Sequence, residues 1–154
     1  MIQRIQSLYL LLAAVCLGIM LFMPLAQFYD GATDCTMKAF MLSGGDNFAV
    51  RPMLYLGILL SLATLLPLII IFLFKNRMLQ VRLCIVEIVL LVGALVMCGI
   101  YCYLCYKTVG DVENGAATVT VWNGLPLLSL IFTVLATRAI FRDELLIRSL
   151  DRIR

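Results

Sequence analysis

Four apolar runs, each about as long as a helix that crosses a bilayer, leave this chain little choice of fold. They cover residues 7–28, 53–74, 83–106 and 123–140. A spanning helix needs about 20 apolar residues, because each residue advances it by only about 1.5 Å. Within hydrocarbon, backbone N–H and C=O groups must be satisfied inside the element, so such runs are read as helices. The 154 residues are 64% hydrophobic and 14% charged, against about half apolar and about a quarter charged in a soluble domain. The expected fold class is all-α membrane: a four-helix transmembrane bundle forming one domain over residues 1–154, with the lipid bilayer as its first partner.

Local signals refine the spans. The first run follows MIQRIQ; it is longer than a signal-peptide core and no A-x-A site follows, so it is expected to stay as a span. Pro52 stands at the entrance of the second run and Pro67 inside it, which predicts a bend near Pro67. Asn123 and Pro126 suit the N-cap and first turn of the fourth helix.

Charge placement sets the orientation. The N-terminus, the loop KNRMLQVR and the C-terminal segment carry Arg4, Lys75, Arg77, Arg82, Arg138, Arg142, Arg148, Arg152 and Arg154, whereas the other two connections carry Lys38, Arg51 and Lys107. The positive-inside rule then puts both termini on the cytoplasmic side. The net charge of +3 is accounted for by this asymmetry, and no nucleic-acid partner is expected. The longer outer connection reads CTMKAFML, SGGD, NFAVR: two extended runs about a Gly-Gly turn, expected as a small β-hairpin between helices 1 and 2. TVTVW before the fourth span could add a third strand.

Histidine is absent, which removes bis-His haem, the H-E-x-x-H zinc motif and His-dependent nucleophiles. Thiols, carboxylates and lysines remain. On the third span Glu87, Leu91, Ala94, Cys98, Cys102 and Cys105 fall within about 80° of helical arc. Small residues in such a stripe let helices approach closely, with cysteine as an apolar filler. A second reading brings Cys102 and Cys105, at the outer end of that helix, to Cys35 in the outer loop, as a structural disulfide or a redox set. The layout is similar to that of quinone-coupled four-helix thiol oxidoreductases. It departs from them in lying at a helix C-terminal end, whereas reactive thiols favour helix N-termini or cationic surroundings. No metal site is expected, because four cysteine ligands do not converge on either face.

Glu87 is the one acid within a span, and an intramembrane acid raises the question of ion movement. It follows Arg82 by little more than a turn, so it is placed near the inner boundary, in an ion pair with Arg138 or else with Arg77 or Arg82. No other polar group is expected to continue a path outward. The ending RDELLIRSLDRIR puts Leu146, Leu150 and Ile153 at helical spacing, a basic amphipathic tail helix over 141–154 at the membrane surface or against a partner. Tyr9, Tyr55, Tyr101, Tyr103, Tyr106 and Trp122 suit an interfacial belt.

Three segments, MIQRIQSLYLLLA, FKNRMLQVRL and LATRAIFRDELLIRSLDRIR, carry a resemblance over essentially the whole chain. It resembles the domain-of-unknown-function 4293 family of small four-helix integral membrane proteins of Bacteroidota. The resemblance implies a multi-pass protein of the bacterial inner membrane and implies no activity, cofactor or catalytic residue. Its segments cluster on the cytoplasmic side, so Arg4, Lys75, Arg77, Arg82, Arg142, Arg148 and Arg152 are the expected contacts with a protein partner or with lipid. The expected function is a non-enzymatic scaffold or accessory subunit, alone or as a homo-oligomer, with no cofactor. A thiol-disulfide protein using Cys35, Cys102 and Cys105, and a small transporter or channel component, are the alternatives.

Overall fold

A computed structural model describes residues 3–30, 34–43, 51–73, 77–110 and 115–151. Helix α1 runs over Gln3–Phe22, α2 over Leu54–Phe72, α3 over Arg77–Gly110 and α4 over Leu125–Asp151. All four are long and apolar enough to cross a membrane. Each helix packs mainly on two others, α1 and α3 both lying against α2 and α4. The start of α1 meets the end of α4 where the Gln6 amide donates to Asp143. The start of α3 meets the end of α2 where Gln80 Nε2 donates to the Ile70 carbonyl over 2.9 Å. Both chain ends therefore share one end of the molecule with the α2–α3 connection.

The opposite end carries an antiparallel sheet. Its strands are β1 (Ala26–Asp30), β2 (Asp34–Met37), β3 (Met41–Ser43), β4 (Arg51–Pro52) and β5 (Gly115–Val119), in the order β4-β3-β2-β1-β5. The expected hairpin is present as β3 on β4, within a larger sheet than the sequence suggested; its Gly44-Gly45 turn lies outside the described residues. CTMKAFML does not form one run. It turns over residues 38–40, where the Lys38 N–H bonds the Met41 carbonyl at 2.9 Å. The strand expected from TVTVW lies earlier, as GAATV paired with β1, while Val121 and Trp122 enter a 3₁₀ turn over Val121–Gly124.

Three helix boundaries differ from expectation, each for a local reason. The first span ends at Phe22 instead of residue 28, because Pro24 disfavours helical backbone at Met23. Beyond it Leu25 is already tied to the sheet, its N–H bonding the Met37 carbonyl at 2.7 Å. Helix α3 starts at Arg77 and takes in most of the KNRMLQVR loop, whose residues are good helix formers. Helix α4 continues unbroken through Asp151, so the tail from residue 141 is no separate helix; no glycine or proline interrupts LATRAIFRDELLIRSLD.

Pro67 lies inside α2, buried. Having no N–H, it cannot give the Ala63 carbonyl its usual helical hydrogen bond. The interior has two apolar clusters. One, near the chain ends, gathers Leu10, Ile70, Cys84, Ala136 and Ile140. The other joins the sheet to the helices through Leu17, Met20, Phe28, Met37, Leu56 and Leu91 among others. At the sheet, the Phe40 ring lies over Gly57 of α2, in the space a side chain there would occupy. Outward faces are rich in exposed Leu, Ile and Val. The buried share of each span is only 28–33%, so most of its surface is left for lipid or a partner helix. Tyr55, Tyr103, Tyr106 and Trp122 are exposed toward the sheet end; of the other residues expected in an interfacial belt, Tyr101 packs against the apolar cluster and Tyr9 stacks on Phe132 at a centroid distance of 6.5 Å.

Candidate functional site

Glu87 occupies the gap between the two apolar clusters. Its side chain is fully buried, at 0% exposure, and neither carboxylate oxygen has a hydrogen-bond partner among the described residues. The hydrogen-bonded pair expected with Arg138 is not formed. Arg138 is exposed, because two residues past the buried Ala136 turn it about 200° around α4. Arg82 is exposed as well, about 140° around α3 from Glu87; the side chain of Arg77 lies outside the described residues. Nor is Glu87 at the helix end. About 15 Å of α3 separates it from Arg77, roughly half the thickness of a hydrocarbon core.

Two pairs of contacts fix what surrounds it. Cys84 meets Thr137 and Cys98 Sγ donates to Asn123 Oδ1 over 2.9 Å; these pairs are equally spaced along α3 and along the segment from the 3₁₀ turn into α4, so Glu87 is level with the Thr133–Val134 step. On α2, the Gln80–Ile70 bond and the approach of Leu59 to Gly93 set Glu87 level with Ala63 and Thr64. Thr64, Ser129 and Thr133 are buried too. The expectation that nothing polar lies beyond Glu87 was therefore wrong. Ser129, Thr133 and Thr137 recur one turn apart on α4, a polar stripe that the sequence already displayed and that its apolar background hid.

Each of these hydroxyls spends its proton on backbone. Thr64 Oγ1 donates to the Ser61 carbonyl at 2.7 Å, Thr133 Oγ1 to that of Ser129 at 2.9 Å, and Ser129 Oγ to that of Ala13 at 3.4 Å. A charged side chain at the centre of a spanning helix costs about 2.5–3.5 kcal/mol on insertion scales. An unpartnered one is an expense that apolar packing does not offset.

The cysteine stretch forms a second, more peripheral group. All six cysteines stand as thiols. Cys35 of β2, Cys98 and Cys105 are buried in the same extended apolar cluster, with Cys102 packed against it. Asn123 links two of the helical thiols: besides accepting from Cys98, its Nδ2 donates to Cys102 Sγ over 3.6 Å. This replaces its expected role as an N-cap. No three His, Cys, Asp or Glu side chains among the described residues are arranged to hold a metal ion.

Of the expected contact residues, Arg82 and Arg142 are exposed. Arg4, Arg77 and Arg148 fall within α1, α3 and α4, and Lys75 and Arg152 lie outside the described residues. No curated protein matches the chain. Residues 2–153 match the family described as a domain of unknown function, DUF4293. The match covers nearly all of the chain, and the protein belongs to that family.

Proposed function

We propose that the protein is a non-enzymatic accessory or scaffold subunit of the bacterial inner membrane, with both termini cytoplasmic and the sheet on the opposite face. One observation carries the reading: α4 leaves the span without a break and runs to Asp151. Around its last turns Arg138, Phe141, Arg142, Leu145 and Leu146 are exposed. A rigid helix bearing alternating cationic and apolar side chains at a membrane boundary suits docking to a partner or to anionic lipid headgroups. The excess of Lys and Arg on the connections at the chain-end side supports the orientation. A transport reading has less support, since the buried apolar Leu10, Ile70, Ala136 and Ile140 lie between Glu87 and the chain ends.

The test is site-specific photocrosslinking from Phe141, exposed on the same stretch of α4, in intact membranes, with the crosslinked species identified. The proposal expects one recurrent protein adduct. That adduct should be lost when the residues after Glu144 are deleted, a truncation that spares the Gln6–Asp143 contact. Crosslinks to lipid alone, with a monomer in mild detergent, would contradict it.

A further inference from the structure

We infer that Glu87 is a reversible proton-binding site built into the membrane-spanning core. At one level of the molecule, acceptors outnumber donors. Both oxygens of Glu87 are buried without a hydrogen-bond partner among the described residues. Level with it stand Thr133 of α4 and Thr64 of α2, whose hydroxyl protons are already given to the carbonyls of Ser129 and Ser61. Each threonine oxygen therefore turns only lone pairs to the interior. The carbonyl of Ala63 adds another acceptor, since Pro67 has no N–H to offer it. This is a set of oxygens without a donor. The ligand that answers such a set is one proton, carried on a Glu87 oxygen.

Among the described residues, the surroundings supply no alternative charge. From α1 the level is approached by Leu10 and Ala13, from α2 by Ala63, Thr64 and Pro67, and from α4 by Thr133 and Ala136, all buried. On α3 itself Cys84 is the nearby ionisable side chain, and it contacts Thr137. Arg82, Arg138 and Arg142 face outward. Glu87 thus has no described cation to pair with, and its charge state is set by the proton alone. This inference does not depend on the docking role proposed for α4.

Two readouts test it on the full-length protein in lipid nanodiscs. Dicyclohexylcarbodiimide is apolar and reacts with protonated carboxyls, so mass spectrometry should find its adduct on Glu87. The rate should fall about tenfold per pH unit once the site empties, as one proton per site requires. In parallel, infrared spectra should show a carboxylic C=O band that disappears at high pH and is missing from Glu87→Gln. Thr133→Val, which keeps the carboxyl but removes an acceptor, should move the midpoint of whichever signal titrates. The inference stands if either readout titrates with pH and is overturned if neither does. A permanently neutral, purely structural Glu87 gives that second result.

Discussion

Asn123 and Glu87 show how far single residues can be read before their neighbours are known. Both were legible as polar groups in apolar surroundings, but their partners were not. A helical wheel orders residues on one helix and says nothing about the register of the next. Asn123 sits beside Pro126 at the start of α4, where a capping role is the local reading; the crossing of α3 instead brings Cys98 and Cys102 to it. Asn123→Ala should cost about 1 kcal/mol, in the range of side-chain hydrogen bonds within membranes. It should also raise the maleimide reactivity of Cys98 and Cys102 in the native protein. An unchanged unfolding midpoint and unchanged labelling would remove Asn123 from the packing at that end. For Glu87 the missing information was the outward turn of Arg138, a consequence of where the buried stripe of α4 falls. That stripe is set by Ser129, Thr133, Ala136 and Ile140, all buried.

At the scale of elements, the four helices were plain because length and apolarity suffice to specify a span. Their ends were less so, since those depend on single residues such as Pro24 or on helix-forming loops such as that before α3. The sheet was only half legible. Its β3–β4 hairpin followed from the runs around Gly44-Gly45, but the pairing of β5 with β1 joins segments far apart in the chain, and no local pattern announces it. What holds the sheet to the helices is also non-local. Phe40, at the turn between β2 and β3, covers Gly57 of α2, and the Met53 N–H bonds the Phe40 carbonyl at 3.0 Å. Gly57→Val puts a branched side chain where the ring lies. It should destabilise the protein by about 1–3 kcal/mol, as overpacking does, and make residues 41–43 more susceptible to proteolysis while the helices stay protected. Equal protection of the sheet in the variant would mean that Phe40 has another place to go.

The molecule as a whole is polarised along its long direction. One end carries the chain termini, the Gln6–Asp143 contact and exposed Arg82, Arg138 and Arg142. The other carries the sheet and the Asn123–cysteine group, with the Glu87 level between them. The proposed docking of α4 and the placement of the sheet both depend on the arginine-rich end facing the cytoplasm. Single-cysteine labelling decides this most directly. In a background with the six native cysteines replaced, Ser43→Cys and Leu145→Cys mark the two ends, and both native side chains are exposed. With a membrane-impermeant maleimide, cells with permeabilised outer membranes should label the Ser43 variant, whereas the Leu145 variant should label only after the inner membrane is broken. Labelling of the Leu145 variant in unbroken cells would contradict the account.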